Sequence, residues 1–266
     1  MTHLGVHEDG PRSQVPLVLL HAFPFDHRMW SPVRDVLADM WTITIDAPGF
    51  GDSGNPRVLG ELIRDSRGGI AEFADDIAAW ARTRGLEKLV VAGVSMGGYI
   101  TLALAERHPD LLAGIALIDT KASADDDAAA EGRRQMAADA RRGVAFGLTH
   151  MAGKVLAPDA EETNPQLYSQ VVRWIGQAPF IGLEWAQESM AARPDRLDAL
   201  RGLDIPAAVI RGENDQLASV ADHEAMAQAL GCEVTTVPDA GHLSPVEQPE
   251  AVSALLRSLV ERAQQA

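Results

Sequence analysis

Cysteine is almost absent. Cys232 stands alone among 266 residues, so no intrachain disulfide can staple the fold. Cohesion must come from burial, and hydrophobic residues, at 46% of the chain, are plentiful enough for the core of one large domain. Cys232 follows Gly231 and precedes the alternating run Glu233-Val234-Thr235-Thr236-Val237. That run reads as a strand, so the thiol is expected to be buried and inert.

Basic side chains are also scarce, with 23 Lys and Arg against 38 Asp and Glu, for a net charge of −15. A surface that negative repels nucleic acid and anionic lipid, which excludes both as expected partners and leaves small molecules. No apolar run approaches the roughly 20 residues that span a bilayer. The stretch Met1-Thr2-His3-Leu4-Gly5-Val6-His7-Glu8 lacks the basic start and apolar segment of a secretory leader, so a cytoplasmic location is the expectation. No Gly-x-Gly-x-x-Gly follows a strand, and no His, Cys or Asp group has metal-ligand spacing, so neither a cofactor nor a metal is expected.

What is present is an alternation of strand and helix signals. Residues Val15 to Leu20, Trp41 to Ile45, Leu89 to Val94 and Gly114 to Ile118 form short apolar, β-branched runs bounded by Gly, Pro or Asp. Such runs suit strands covered on both faces, as in a parallel sheet. Ile70, Phe73, Ala74, Ile77, Trp80 and Ala81 recur at steps of three and four, which predicts a helix that Gly85 stops. The rhythm resumes with Pro206 to Ile210 and Cys232 to Val237. A last helix begins near Pro249, with Val252, Leu255, Leu256, Leu259 and Val260 on one stripe. This order predicts an α/β sheet.

Residues from about Ala122 to Pro194 break the alternation. They carry no strand pattern and read as helical, with Ser123 as the cap and Asp125, Asp126 and Asp127 in the first turn. Met151, Trp174, Phe180, Trp185 and Met190 follow, and both a pocket lining and simple packing account for them. The chain is therefore divided into an α/β core over 1–121, a helical insertion over 122–197 and a second part of the core over 198–266.

The strongest chemical signal is Gly93-Val94-Ser95-Met96-Gly97, followed by Gly98. It satisfies Gly-x-Ser-x-Gly and sits between the strand Leu89 to Val94 and a helix over Gly98 to Ala105. Such a tight turn lifts a serine oxygen above the sheet, and the flanking glycines keep side chains out of the crowded bend. A serine hydroxyl needs a base. Of eight histidines, His3, His7, His27, His108, His150 and His223 read as surface or capping residues. His242 differs, because Asp239-Ala240-Gly241-His242-Leu243-Ser244-Pro245 lies between the last strand and the last helix, at the sheet edge from which ligand-facing loops emerge.

An acid must orient that histidine, and Asp215, in Arg211-Gly212-Glu213-Asn214-Asp215 after a strand, is the choice over Glu213 and Asp119. The order Ser95, Asp215, His242 is nucleophile, acid, base. Val18-Leu19-Leu20-His21-Ala22-Phe23-Pro24 ends the first strand. The backbone N–H groups of Phe23 and Met96 are the candidate oxyanion donors, since Pro24 has none. His21 is expected to brace this loop.

With these residues assembled, the chain resembles the α/β-hydrolase fold superfamily along almost its whole length, and in particular small bacterial esterases, 3-oxoadipate enol-lactonases and cofactor-free haloperoxidase-like enzymes. His21-Ala22-Phe23-Pro24 resembles their His-Gly-Phe-Pro oxyanion loop, and Asp46-Ala47-Pro48-Gly49-Phe50-Gly51-Asp52-Ser53 their Asp-x-Pro-Gly-x-Gly-x-Ser loop. Val94-Ser95-Met96-Gly97-Gly98, Gly212-Glu213-Asn214-Asp215 and Ala240-Gly241-His242 match the remaining signatures. The resemblance implies a mostly parallel sheet flanked by helices, with the insertion as a helical cap. Ala22 replaces the usual glycine, and the stretch before Val15 is short, so the family's first strands are expected to be reduced or missing. A serine at residue 95 argues against the branches that use aspartate there.

The leading expectation is a serine hydrolase of small to medium carboxylic esters or lactones, acting through an acyl-enzyme on Ser95. The same groups could instead serve hydrogen peroxide or a carbon–carbon bond beside a ketone, because fold does not fix substrate. A non-catalytic ligand receptor is the remaining class, and an intact triad counts against it. Substrate identity and oligomeric state stay open.

Overall fold

A computed structural model of the chain describes residues 4–54, 69–144 and 148–266. Among the described residues one sheet holds seven strands: β1 (Val6–Asp9), β2 (Leu17–Leu20), β3 (Thr42–Ile45), β4 (Leu89–Val94), β5 (Leu112–Ile118), β6 (Ala207–Gly212) and β7 (Val234–Val237). Their order across the sheet is β1-β3-β2-β4-β5-β6-β7. Every neighbouring pair is parallel except β1 with β3.

The interior strands are apolar on both faces because helices cover both. In β2, Val18 and Leu20 join one hydrophobic cluster while Leu17 and Leu19 join the other; in β4, Val91 lies in the first and Val90 and Ala92 in the second. This is the period-2 alternation of a strand with two buried faces. The first cluster takes Ile70, Phe73 and Ile77 of α2 (Gly69–Thr83) and Ile100 and Leu104 of α3 (Met96–Arg107). The second takes Val33 of α1 (Ser31–Val36) and Val252, Leu256 and Leu259 of α11 (Pro249–Ala263). Each such side chain contributes about 1.5–3 kcal/mol by leaving water.

Between β5 and β6 the chain forms α4 (Asp127–Arg141), α5 (Ala152–Val155), α6 (Ala160–Thr163), α7 (Pro165–Gly176) and α8 (Phe180–Ala191), with no strand among the described residues. Past β6 the core adds α9 (Val220–Leu230) before β7 and the single turn α10 (Ser244–Glu247) before α11. None of the described helices is long and apolar enough to cross a membrane.

The short segment before Val15 is reduced, as expected, to one four-residue strand, β1, whose Val-His-Glu-Asp residues carry no apolar alternation because it is an antiparallel edge with only partial burial. Two readings of the sequence are corrected. Ser123 is not a cap: Asp126 caps α4 by accepting from the Ala129 N–H at 2.7 Å, and the hydroxyl of Ser123 donates to Asp222. Cys232 lies before β7 rather than in it and is only half-buried, with its thiol pKa pushed up by burial.

Candidate functional site

Ser95 occupies the single residue between β4 and α3, with φ 52° and ψ −110°. A positive φ at a residue with a side chain is strained, and the surroundings hold it there. Its N–H donates to the Ile118 carbonyl at 3.0 Å, and its carbonyl accepts from Thr120 Oγ1 at 2.8 Å. The glycines serve close approach. A Cβ on Gly93 would lie 2.2 Å from the Gly97 carbonyl oxygen, and one on Gly97 would lie 2.2 Å from that of Leu20. Met96 heads α3, where first-turn N–H groups have no intrahelical acceptor and carry the positive end of the helix dipole.

His242 and Asp215 come together across two loops. His242 Nδ1 lies 2.8 Å from Asp215 Oδ1, and the two side chains are 6% and 0% exposed. The same oxygen accepts the N–H groups of Leu217 at 2.8 Å and Ala218 at 3.2 Å. Burial works against the Asp215 charge, but the His242 hydrogen bond and charge with these two amides outweigh it and hold the carboxyl below its usual range. An ionised Asp215 requires Nδ1 to carry the proton, which leaves Nε2 with a lone pair.

The rival acids lie elsewhere. Glu213 is exposed and accepts from the Asp239 N–H. Asp119 is fully buried at φ 47° and accepts from the Gly212 N–H at 2.7 Å and from the Ser244 N–H and hydroxyl at 3.0 and 2.6 Å. It braces the loops that carry Asp215 and His242.

Phe23 sits in the loop three residues past β2, beside a cis bond to Pro24, and its ring meets Phe50 edge-on at 6.4 Å. His21 is buried under this loop. Its Nε2 accepts the Ala47 N–H at 2.8 Å, so Nδ1 is the protonated nitrogen that donates to the Ala22 carbonyl at 2.9 Å. Burial lowers its pKa, which keeps the ring neutral in this role. His21 thereby joins the Phe23 loop to the Asp46–Ser53 loop.

Ser95, His242 and Phe23 line one cavity of ≈ 290 Å³ with Tyr99, Met136, Met151, Met190 and Leu217. The methionines come from the helical insertion. Its tryptophans pack instead, Trp174 against Phe25 and Trp185 against Phe73. Lys121 and Arg133 also reach the cavity. Sequence reading missed what holds them: Asp125, taken as a first-turn acid, is 2% exposed and pairs with Lys121, Arg133 and Arg193, the last stacked 4.0 Å over the Tyr99 ring. Only the separation of Asp125 from Arg193 along the chain hides this, since a pair 68 residues apart leaves no local pattern.

The fold also gathers two groups that sequence spacing does not reveal, His7, His27, Asp46 and Asp52, and Asp119, Asp215 and His223, each with donor atoms within 4.8 Å of one another. In the first, the His rings stack at 3.7 Å and His27 Nδ1 bonds Asp46 Oδ2 at 2.9 Å. In the second, the Asp119 and Asp215 oxygens already take protein N–H groups. The first is read as a hydrogen-bonded cluster around the Asp46 carboxylate, while His223 Nδ1 of the second bonds the Ser219 carbonyl. His3 lies outside the described residues.

Residues 15–249 match the family defined by the alpha/beta hydrolase fold. A solved thermophilic esterase from Thermogutta terrifontis is similar at 33% identity and a TM-score of 0.88, over 98% of this chain and 94% of that one. The 3-oxoadipate enol-lactonase 1 of Acinetobacter baylyi is 24% identical over 98% of this chain and 94% of its own. A 2-succinyl-6-hydroxy-2,4-cyclohexadiene-1-carboxylate synthase of an Enterobacter species is 28% identical over 92% and 91%.

Proposed function

The chain belongs to the α/β-hydrolase fold family, and from that premise we propose that it is a serine hydrolase of small to medium carboxylic esters or lactones. The observation that carries the reading is the convergence of Ser95 and His242 on one cavity, with His242 held by a buried, ionised Asp215.

In this reading Ser95 Oγ attacks the substrate carbonyl while His242 Nε2 takes the hydroxyl proton. Asp215 keeps Nδ1 protonated and stabilises the imidazolium that forms. The N–H groups of Phe23 and Met96 hold the oxyanion. Collapse expels the alcohol, which receives the proton from His242 and leaves the acyl group on Ser95. Water, deprotonated by His242, then adds to the acyl-enzyme and releases the acid and Ser95. No metal or cofactor takes part. The insertion over 122–197 acts as the cap, and Met136, Met151 and Met190 give its side of the cavity an adaptable apolar lining suited to an acyl chain. Similarity to an esterase and an enol-lactonase supports this substrate class. The similar synthase favours a second reading, in which the same groups serve a reaction other than hydrolysis.

The test is release of p-nitrophenol from acetate, butyrate and octanoate esters by wild type and Ser95→Ala. Turnover by the wild type that disappears in the variant supports the reading, and chain-length preference sizes the pocket. Equal rates in the two proteins sink it.

A further inference from the structure

The base loop is held on two sides by backbone. A Cβ on Gly212 would lie 1.9 Å from the Gly241 carbonyl oxygen, and one on Gly241 would lie 2.4 Å from the Leu156 carbonyl carbon. Gly241 is thus wedged between the strand end that leads to Asp215 and the helical insertion. Such a joint brings backbone N–H groups together out of water, and each needs an acceptor.

One side chain supplies both. Glu247 Oε1 accepts the Ala157 N–H at 2.6 Å, and Oε2 accepts the Gly241 N–H at 2.8 Å. Ala157 belongs to the insertion and Gly241 is the residue before His242. We propose that Glu247 is a positioning residue that clasps the base loop to the helical insertion and so sets where His242 points over Ser95. It touches neither substrate nor Ser95, and the proposal rests on the reading of His242 as the base.

The clasp needs both oxygens as acceptors, so it needs the ionised carboxylate. Burial pushes the Glu247 pKa up to about 7, against the Ala157, Gly241 and Leu243 amides that favour its charge, with the charge of Asp119 adding to the rise. Asp159 and Asp239 share with it a cleft of ≈ 500 Å³ on the far side of the loop, and His242 follows Gly241 directly. The acidic neighbours add no counter-charge, so protonation of Glu247 falls in the neutral range and removes one of its two acceptors.

The test is the pH profile of kcat/KM and the kcat and KM at pH 8 for wild type, Glu247→Gln and Glu247→Asp, with p-nitrophenyl butyrate. Wild type is expected to lose activity on the acid side with a slope approaching about 2, one proton more than the Gln variant, which lacks the Glu247 carboxyl. The Gln variant, whose amide must turn one N–H toward another, is expected to lose roughly 10- to 100-fold in kcat with little change in KM. The Asp variant keeps the two-proton limb at reduced kcat, because it retains the charge but reaches only one amide. Wild-type kcat in the Gln variant, or the same two-proton limb there, overturns the proposal. If the Gln variant does not fold, a one-proton limb in wild type overturns it. Persistence of activity in Ser95→Ala, by contrast, strikes the hydrolase reading itself, so the two failures are told apart.

Discussion

Asp119 receives both the N–H and the hydroxyl of Ser244, two residues beyond His242, and with its other oxygen the N–H of Gly212, three residues before Asp215. One buried carboxylate therefore ties the loop that carries Asp215 to the loop that carries His242 through the Gly212 and Ser244 backbone. Burial and the charge of Asp215 push its carboxyl up, against His242 and the three hydrogen bonds. Under the proposed function, the division of labour is structural for Asp119 and electrostatic for Asp215.

That division is testable by paired substitutions. Asp119→Asn is expected to cost roughly 1–3 kcal/mol in urea unfolding, through one mispaired buried N–H. Asp215→Asn is expected to lower kcat by about 10⁴-fold through the wrong His242 tautomer, at smaller cost in stability. Equal kcat losses for the two would mean that Asp119 shares the acid's role.

The elements that the sequence made legible are those whose apolar pattern is unbroken. The run Leu89 to Val94 coincides with β4, and Ile70, Phe73, Ala74, Ile77 and Ala81 all lie buried on α2, with Gly85 at φ 69° just past its end. Ser95, Asp215 and His242 each follow a strand, which is what singled them out in the sequence; the fold brings Ser95 and His242 to one cavity and hydrogen-bonds His242 to Asp215, and their catalytic roles rest on the proposed function. β1 was not, since an edge strand with a solvated side needs no apolar alternation. Nor were Asp125 and Glu247, whose roles depend on partners 68 and 90 residues away. Chain-distant ion pairs and side-chain clasps leave no periodicity to read.

The glycines of the serine turn give a stability prediction. Gly97→Ala must push a methyl group into the Leu20 and His21 carbonyls, 2.2 and 3.0 Å away, and is expected to destabilise by about 3 kcal/mol or prevent folding. Gly132→Ala, in α4 with open space around it, is expected to stabilise by about 0.5–1 kcal/mol. Thermal unfolding of both variants checks the contrast.

Asp125 predicts acid sensitivity. Burial opposes its charge, but Arg193 and Arg133 outweigh it and hold the carboxyl far below its usual range. A depressed carboxyl contributes stability that is present above the unfolded value of about 4 and is lost as pH falls through the folded value. Asp125→Asn is therefore expected to be less stable than wild type by about 3 kcal/mol at pH 7, with the gap narrowing below pH ~4. A gap that stays constant down to pH ~2.5 contradicts the ion-pair account.

Glu247 carries the opposite sign. Its pKa is raised from 4.5 to about 7, so the folded protein binds more protons than the unfolded chain within that window. Stability must then fall as pH rises through it, by up to about 3 kcal/mol relative to Glu247→Gln. Urea unfolding of the two proteins between pH 5 and 8 checks this. A constant difference would mean that the carboxylate is not held against its charge. The ionised form that clasps the base loop is the form that costs stability, a conflict common at functional sites.

The claim on which the rest depends is that Ser95 is the nucleophile. Diethyl p-nitrophenyl phosphate phosphorylates an activated serine and releases one p-nitrophenol, so intact mass and peptide mapping can follow it directly. One diethylphosphoryl group per chain is expected, on the peptide carrying Ser95, in step with loss of ester hydrolysis, with no labelling of Ser95→Ala. Labelling at another residue, or full ester hydrolysis by a protein already phosphorylated at Ser95, would contradict it.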